Sequence, residues 1–384
     1  MHITYAFVAA CVLLTASLAA AGTYGVEVTV GVGEAARYDR PVEVETDFAG
    51  LLKQAGEAGE FDKRSLAVTE LDANGPEKGR PLTCQFDGDD TGNGVLVFVL
   101  SGKTPAKTTR RFQVHFGTEP INGPASKPPV KLTDGVTDEK QGSFRVDTPA
   151  GTWFYHKAGA GFSSLVDADG NDWIGYRPGG GASGEYRGIP NLVHPGDSFH
   201  PGKRGSTSRV VSAGPLKVTI ASESNDGRWA GTWEVFPAFA RMTVTKAPRP
   251  YWFLYEGTPG GAINFRTNYC VRAPGKRTDI KAKWNERLPH PQWLYFGDTK
   301  AGRAIWFVKH EADESVDTYY QMHGTRGMTV FGFGRKGLGK HMKKTPATFT
   351  VGLAKVRQSG PKVEDIIESA SRPLEVKIGP ASEH

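Results

Sequence analysis

From Tyr24 to Ala354 the chain is cut into short runs of alternating apolar and polar residues by clusters of Gly, Asn, Asp and Pro. Residues two apart share one face of a strand, so each run offers one apolar face, and turn clusters at this spacing return the chain antiparallel. Helical spacing is confined to two places: Phe48 to Gly59 holds a candidate short helix, and Lys362 to Ala370 sets Val363, Ile366 and Ile367 on one side. Strands without helices to cover them must bury their apolar faces against each other, and 48 glycines suit the turns this needs. The expected fold class is all-β, with a small N-terminal β-sandwich, a large antiparallel sandwich and one short C-terminal helix.

The runs Tyr24 to Val32, Val42 to Thr46, Ser65 to Glu70, Gly94 to Leu100 and Arg111 to Phe116 assign residues 22–118 to the first unit. Pro120, Gly123, Pro124, Pro128 and Pro129 follow, so 119–137 reads as a Pro-rich linker that extends neither helix nor ladder. Residues 138–384 then form the larger unit, with runs from Ser143 to Thr148 through Ala347 to Ala354 and the short helix as its cap. No repeat of fixed period is visible, which argues against a propeller or solenoid.

Ahead of these units, the apolar run Tyr5 to Leu18 and the small residues Ala19-Ala20-Ala21 fit a secretory signal peptide over residues 1–21. No Lys or Arg precedes the run, so an uncleaved anchor is the alternative reading. Export implies a secreted, periplasmic or cell-surface protein, and no later stretch has the roughly 18 apolar residues of a membrane helix. Cys11 falls in the signal, which leaves Cys84 and Cys270 either as a disulfide joining the units or as two separate buried thiols. The formal charge of +6 suits an anionic partner. Lys and Arg look scattered, with no basic helix or stripe, so the partner expected is an acidic polysaccharide and not nucleic acid.

The longest loop, Gly179 to Arg209, carries Tyr186, Arg187, Asn191, His194, His200, Lys203 and Arg209. A loop of this length in a folded unit is usually functional, and these residue types supply proton transfer and cationic clamps; covering an edge strand is the plainer role. His194-Pro195-Gly196 and His200-Pro201-Gly202 flank Asp197, so a divalent cation is imaginable, but the spacing matches no metal motif and no cofactor is expected. Asp167 to Asp172 reads as a hairpin turn, because its glycine stands two positions too early for a calcium loop. In Tyr251 to Gly261, Trp252, Leu254 and Glu256 share one strand face and Tyr251, Phe253 and Tyr255 the other. Glu256 among aromatics would have a raised pKa, and Glu234 on another strand would complete a carboxylate pair for glycoside hydrolysis if the two faced each other. His310 is a further candidate, and Trp173, Trp229 and Trp252 offer faces to stack on sugar rings, although large aromatics in sandwiches are mostly core.

A short sandwich, a Pro-rich link and a large sheet-rich unit bearing Tyr, Arg and His in one long loop resemble the galactose-mutarotase-like supersandwich proteins, which include polysaccharide lyases. The resemblance covers roughly residues 142 to 378 and implies a β-supersandwich. It further implies β-elimination on a uronate-containing glycan, with Arg187 or Lys203 neutralising the carboxylate and Tyr186, His194 or His200 moving the proton. Hydrolysis through Glu256 and Glu234, a glycan-binding module without turnover, and an epimerase of small sugars are the alternatives.

Overall fold

The structure, a computed structural model, describes residues 23–72, 75, 77–121, 127–177, 187–356 and 359–383. Its strand pairings are antiparallel throughout. In the N-terminal sandwich, one sheet runs Glu375–Glu383, Thr23–Gly31, Thr109–Gly117, Ala67–Leu71, Glu77–Leu82, and the other runs Arg37–Asp47, Asn93–Thr104, Gln85–Gly88. Val26, Val28 and Val30 alternate inward from the first sheet, and meet Val42, Val44, Leu96 and Phe98 of the second. The helix Phe48–Gln54 starts where the Asp47 carboxylate accepts the Gly50 N–H at 2.8 Å, and it drives Phe48 and Leu52, one turn apart, into the same core.

Two boundaries differ from the sequence reading. Glu375–Glu383, assigned to the second unit, crosses back and pairs with Thr23–Gly31. Its side chains are largely exposed, so the attraction is the open backbone edge of the first strand and carries no apolar signature. Lys131–Asp138, placed in the linker, pairs with Gln141–Asp147, because the prolines end at Pro129 and leave the next segment free to donate. Cys84 and Cys270 are both free, which removes the disulfide; burial pushes their thiols up to about 11 and about 12.

The larger unit is a supersandwich. A nine-stranded sheet, in the order Ser206–Ala213, Val218–Ser224, Ala230–Val235, Phe239–Lys246, Ala347–Lys355, Arg303–Lys309, Gln292–Asp298, Asn268–Arg272, Lys276–Asp279, forms one layer. Two four-stranded sheets form the other: Gly161–Val166, Thr152–His156, Gln141–Asp147, Lys131–Asp138, and Phe253–Gly257, Met328–Phe333, Asp317–Met322, Trp284–Glu286. The layers meet through aromatic pairs, such as Phe253 stacked on Phe349 at 4.3 Å and Phe162 edge-on to Trp233 at 4.7 Å between ring centres. Each such buried ring contributes about 2–3 kcal/mol. Between the two small sheets runs Gly188-Ile189, bridging to Glu256 on one side and to Phe162 on the other. This short piece stitches them into one layer. A Cβ at Gly188 would overlap the Pro201 ring, so only glycine lets the loop fold back over its own start.

The two units are joined by polar as well as apolar contacts. The Lys217 ammonium lies 3.2 Å from Glu43, 3.0 Å from Asp87 and 3.2 Å from Glu234, and Arg241 bridges Glu43 at 2.7 Å and Glu234 at 2.6 Å. Gln85 accepts the Leu216 and Lys217 N–H groups and donates to the Lys217 carbonyl. The helix Val363–Ser371 buries Val363, Ile367 and Ala370 in an apolar cluster that also takes in Val97 of the first unit.

Candidate active site around Glu256

The strand Phe253–Gly257 has two unlike faces. Phe253 and Tyr255 enter the core with Phe331, Phe333 and Tyr319 from the neighbouring strands. Glu256 lies on the other face, in one cross-strand row with Val330 and Tyr320. That outer face is roofed by residues 187–205 and by the hairpin Arg335–Lys336/Gly339–Lys340. The loop is tied down at intervals. Gly188 and Glu256 exchange backbone hydrogen bonds of 2.7 and 3.1 Å, the His200 N–H donates to the Gly159 carbonyl, and the Gly202 N–H donates to His156 Nδ1 at 3.0 Å. With Nδ1 accepting, His156 turns its Nε2–H toward Asp138, whose carbonyl is 3.1 Å away and whose carboxylate is 3.4 Å away. The loop is thus a fixed cover.

Glu256 is 6% exposed and forms the floor. Asn191 Nδ2 donates to Glu256 Oε2 at 2.7 Å, while Asn191 Oδ1 accepts the His194 N–H at 3.2 Å, so the amide is clasped in one orientation. Burial raises the carboxyl to about 7, against the opposing pull of Asn191 and Arg335. The His194 and His200 rings lie 6.0 Å apart. His200 Nδ1 faces the Pro201 carbonyl at 2.7 Å and must carry its proton there; burial lowers the ring to about 4, so the neutral form persists at pH 7. Burial, then Lys340, Lys203 and Arg335, lower His194 as well.

The cations form the opposite wall. Arg335 donates from Nη2 to the Tyr320 hydroxyl at 2.8 Å and from Nε to the Gly337 carbonyl at 2.9 Å, with its guanidinium over Tyr320 and Trp252. The Lys340 ammonium stands 4.1 Å from the Trp252 ring centre and donates to the His194 carbonyl at 2.6 Å. A carboxyl titrating near neutrality, neutral imidazoles and fixed positive charge together fit proton transfer with stabilisation of developing negative charge.

Of the residues singled out from sequence, the structure brings Asn191, His194, His200, Trp252 and Glu256 together, with Lys203 close enough to act on both histidines. Tyr186 lies outside the described residues. Arg187 corrects one expectation: its guanidinium donates to the carbonyls of Gly175 at 3.0 Å and Gly327 at 2.9 Å, so it staples backbone segments and is no substrate clamp. Glu234 corrects another. It alternates with Trp233, which points into the core, so its own carboxylate emerges toward the N-terminal sandwich and joins the Lys217 network. The Glu256–Glu234 pair does not exist.

His310 also belongs elsewhere, with Nε2 2.7 Å from the Thr350 hydroxyl and Arg40 and Arg241 among its charged surroundings. Trp173 is core, donating from Nε1 to Asp167 at 3.0 Å; Trp229 is buried edge-on to Tyr251; Trp252 is 2% exposed with Arg335 and Lys340 over its ring; none of the three offers a face to a sugar. Arg209 sits on the edge strand opposite Ala221. Asp167 closes a hairpin turn by accepting from Asp169 and Asn171, as the spacing implies. The sequence reading passed over Tyr320, Arg335 and Lys340. The signal was there for the last two: Arg335 to Lys344 holds five Lys or Arg and no acid.

Among the described residues no group of three His, Cys, Asp or Glu side chains is placed to hold a metal ion. No helix there is long and apolar enough to cross a membrane. Two clefts lie apart from the site, one of about 1150 Å³ between the units and one of about 720 Å³ beside Cys84 and Lys217, and neither is lined by Glu256, the histidines, Arg335 or Lys340.

Neither a family model nor a curated protein matches the sequence. Among solved structures, similarity extends to HI1317 (TM-score 0.41, 12% identity, covering 58% of this chain and 99% of that one). It extends also to a protein in glycosyl hydrolase family 38 from Enterococcus faecalis (0.42, 9%, covering 94% of this chain and 48% of that one) and to an alpha-mannosidase from Enterococcus faecalis V583 (0.47, 10%, covering 94% and 46%). The present chain therefore spans about half the length of the last two. Alignments this loose assign it neither a family nor an activity.

Proposed function

We propose that this protein is an exported carbohydrate-active enzyme and that Glu256 moves a proton to or from the sugar. The observation that supports this is a buried carboxyl near pKa 7, held by Asn191 beneath neutral histidines and faced by Arg335 and Lys340. A group poised near the working pH is available both as acid and as base. With one carboxylate and two cations, β-elimination on a uronate is the reaction the arrangement suits. Glu256 takes the proton beside the sugar's carboxylate, the C–H electron pair becomes the new C=C bond, and the glycosidic C–O bond breaks. Arg335 and Lys340 balance the charge that builds on the carboxylate, and the leaving oxygen takes a proton from water or from the newly protonated Glu256.

The test is a panel of uronate-containing and neutral polysaccharides, followed by absorbance at about 235 nm with reducing ends measured alongside. Absorbance that rises only with uronate polymers is the expected result. Reducing ends without absorbance would overturn elimination in favour of hydrolysis, and silence in both would leave a sugar-binding protein.

Asn191 gives a second handle. Its hydrogen bond favours the ionised carboxylate, so Asn191→Ala removes a lowering influence and shifts the Glu256 titration above about 7. A pH–rate profile should show its acid limb displaced upward; an unmoved limb would mean that the limb belongs to another group.

A further inference from the structure

The hairpin that roofs the site carries more positive charge than the fold needs. Arg335 and Lys340 are directly opposite each other across it, a like-charge pairing that costs stability, and both sit over the single ring of Trp252. Arg335 is 4% exposed, yet its Nη1 has no hydrogen-bond partner among the described residues. A buried guanidinium nitrogen left without an acceptor is costly unless a ligand supplies one. The same segment also carries the exposed Lys336, Lys343 and Lys344, none of which has a carboxylate within ion-pair distance among the described residues.

We propose that the segment Arg335–Lys344 is a docking surface for an anionic polysaccharide. Arg335 and Lys340 take one acidic substituent at the pocket, and Lys336, Lys343 and Lys344 hold further acidic units of the same chain outside it. The proposal rests on the reading of the Glu256 site as one that takes a uronate and deepens it, from one acidic unit at the site to several units of the same chain outside it. Charge selects the polymer over a lipid surface. Lys340 bonds the His194 carbonyl at the inner end of the run, whereas Leu338, 84% exposed at the turn, is a single apolar side chain and too little for a membrane anchor.

The experiment measures binding and needs no turnover. The full chain carrying Glu256→Gln is titrated with polygalacturonate, dextran sulfate and neutral dextran at several salt concentrations, alone and with Lys336→Ser, Lys343→Ser and Lys344→Ser combined. Binding of a polyanion and not of dextran is expected, weakening with salt, and the triple replacement should loosen it by about tenfold with unchanged thermal stability. Preference for polygalacturonate would point to carboxylates and for dextran sulfate to sulfate esters. Equal binding of dextran, or no change in the triple variant, overturns the proposal. So does binding to phosphatidylglycerol vesicles that is lost in Leu338→Ser while polyanions fail to bind. Polyanion binding without turnover by the unaltered protein would leave the docking surface standing and sink the enzymatic reading; turnover of uronate polymers with no loss of affinity in the triple variant would do the reverse.

Discussion

Glu256→Gln lowers turnover by about 10²- to 10⁴-fold, the range by which a positioned acid or base accelerates proton transfer. Gln keeps the shape and can still accept from Asn191 Nδ2, so the roof over the site stays in place. Stability moves the other way. The Glu256 carboxyl is raised from 4.5 to about 7, which means the fold prefers it protonated. Its contribution is complete below about pH 4.5 and is lost as the pH climbs through about 7, a total of about 3 kcal/mol. A glutamine does not titrate. Urea unfolding of variant and parent should therefore diverge between pH 4.5 and about 7 in favour of the variant, with the gap constant at higher pH. A variant that keeps its activity would remove Glu256 from the chemistry. One that is less stable at pH 8 would show that the carboxylate is held ionised by contacts stronger than its burial.

Lys217→Met is the largest expected loss of stability. The ammonium, its side chain 5% exposed, is the hub for three carboxylates from both units, and its removal leaves Glu43 and Glu234 on Arg241 and takes from Asp87 the cation it pairs with. Breaking a buried ion pair from one side costs about 3–5 kcal/mol, because the partners stay behind uncompensated. Burial lowers the lysine's pKa, but Glu234, Glu43 and Asp87 together raise it above 10.5, so its contribution persists at neutral pH and fades only in strong alkali. For Glu43, burial is outweighed by Arg241 and Lys217, which hold its carboxyl below the usual range; that share is lost in acid. The urea midpoint should accordingly fall most at pH 7 and least near pH 3. Adding Glu234→Gln should recover part of the loss by removing one stranded charge. Activity below the transition should be unaffected, since the network stands on the opposite face of the nine-stranded sheet from the core; an early loss of activity would connect the interface to the pocket.

Strands with one buried face could be read from the sequence because burial writes an alternation into it, as at Val26, Val28 and Val30. Glu77–Leu82, Lys131–Asp138 and Glu375–Glu383 could not. They pair through backbone groups while their side chains stay largely in solvent, so composition carries no trace of them. The division of faces around Glu256 was legible for the same reason that the strands were, and the long loop announced itself by its length. What decides Glu234, by contrast, is Glu43 on another sheet, a proximity that no local pattern encodes. Arg187 had the right chemistry for a clamp, but three-dimensional placement gave its donors to carbonyls.

The pairing of Glu375–Glu383 with Thr23–Gly31 joins segments about 350 residues apart. A ribosome adding about 5–20 residues per second needs roughly 20–70 s to reach the second after the first. Throughout that interval the N-terminal sheet has an open edge, the kind that recruits other chains. Completion of the first sandwich thus waits for the last strand to be made. A product that stops before Glu375 keeps that edge exposed.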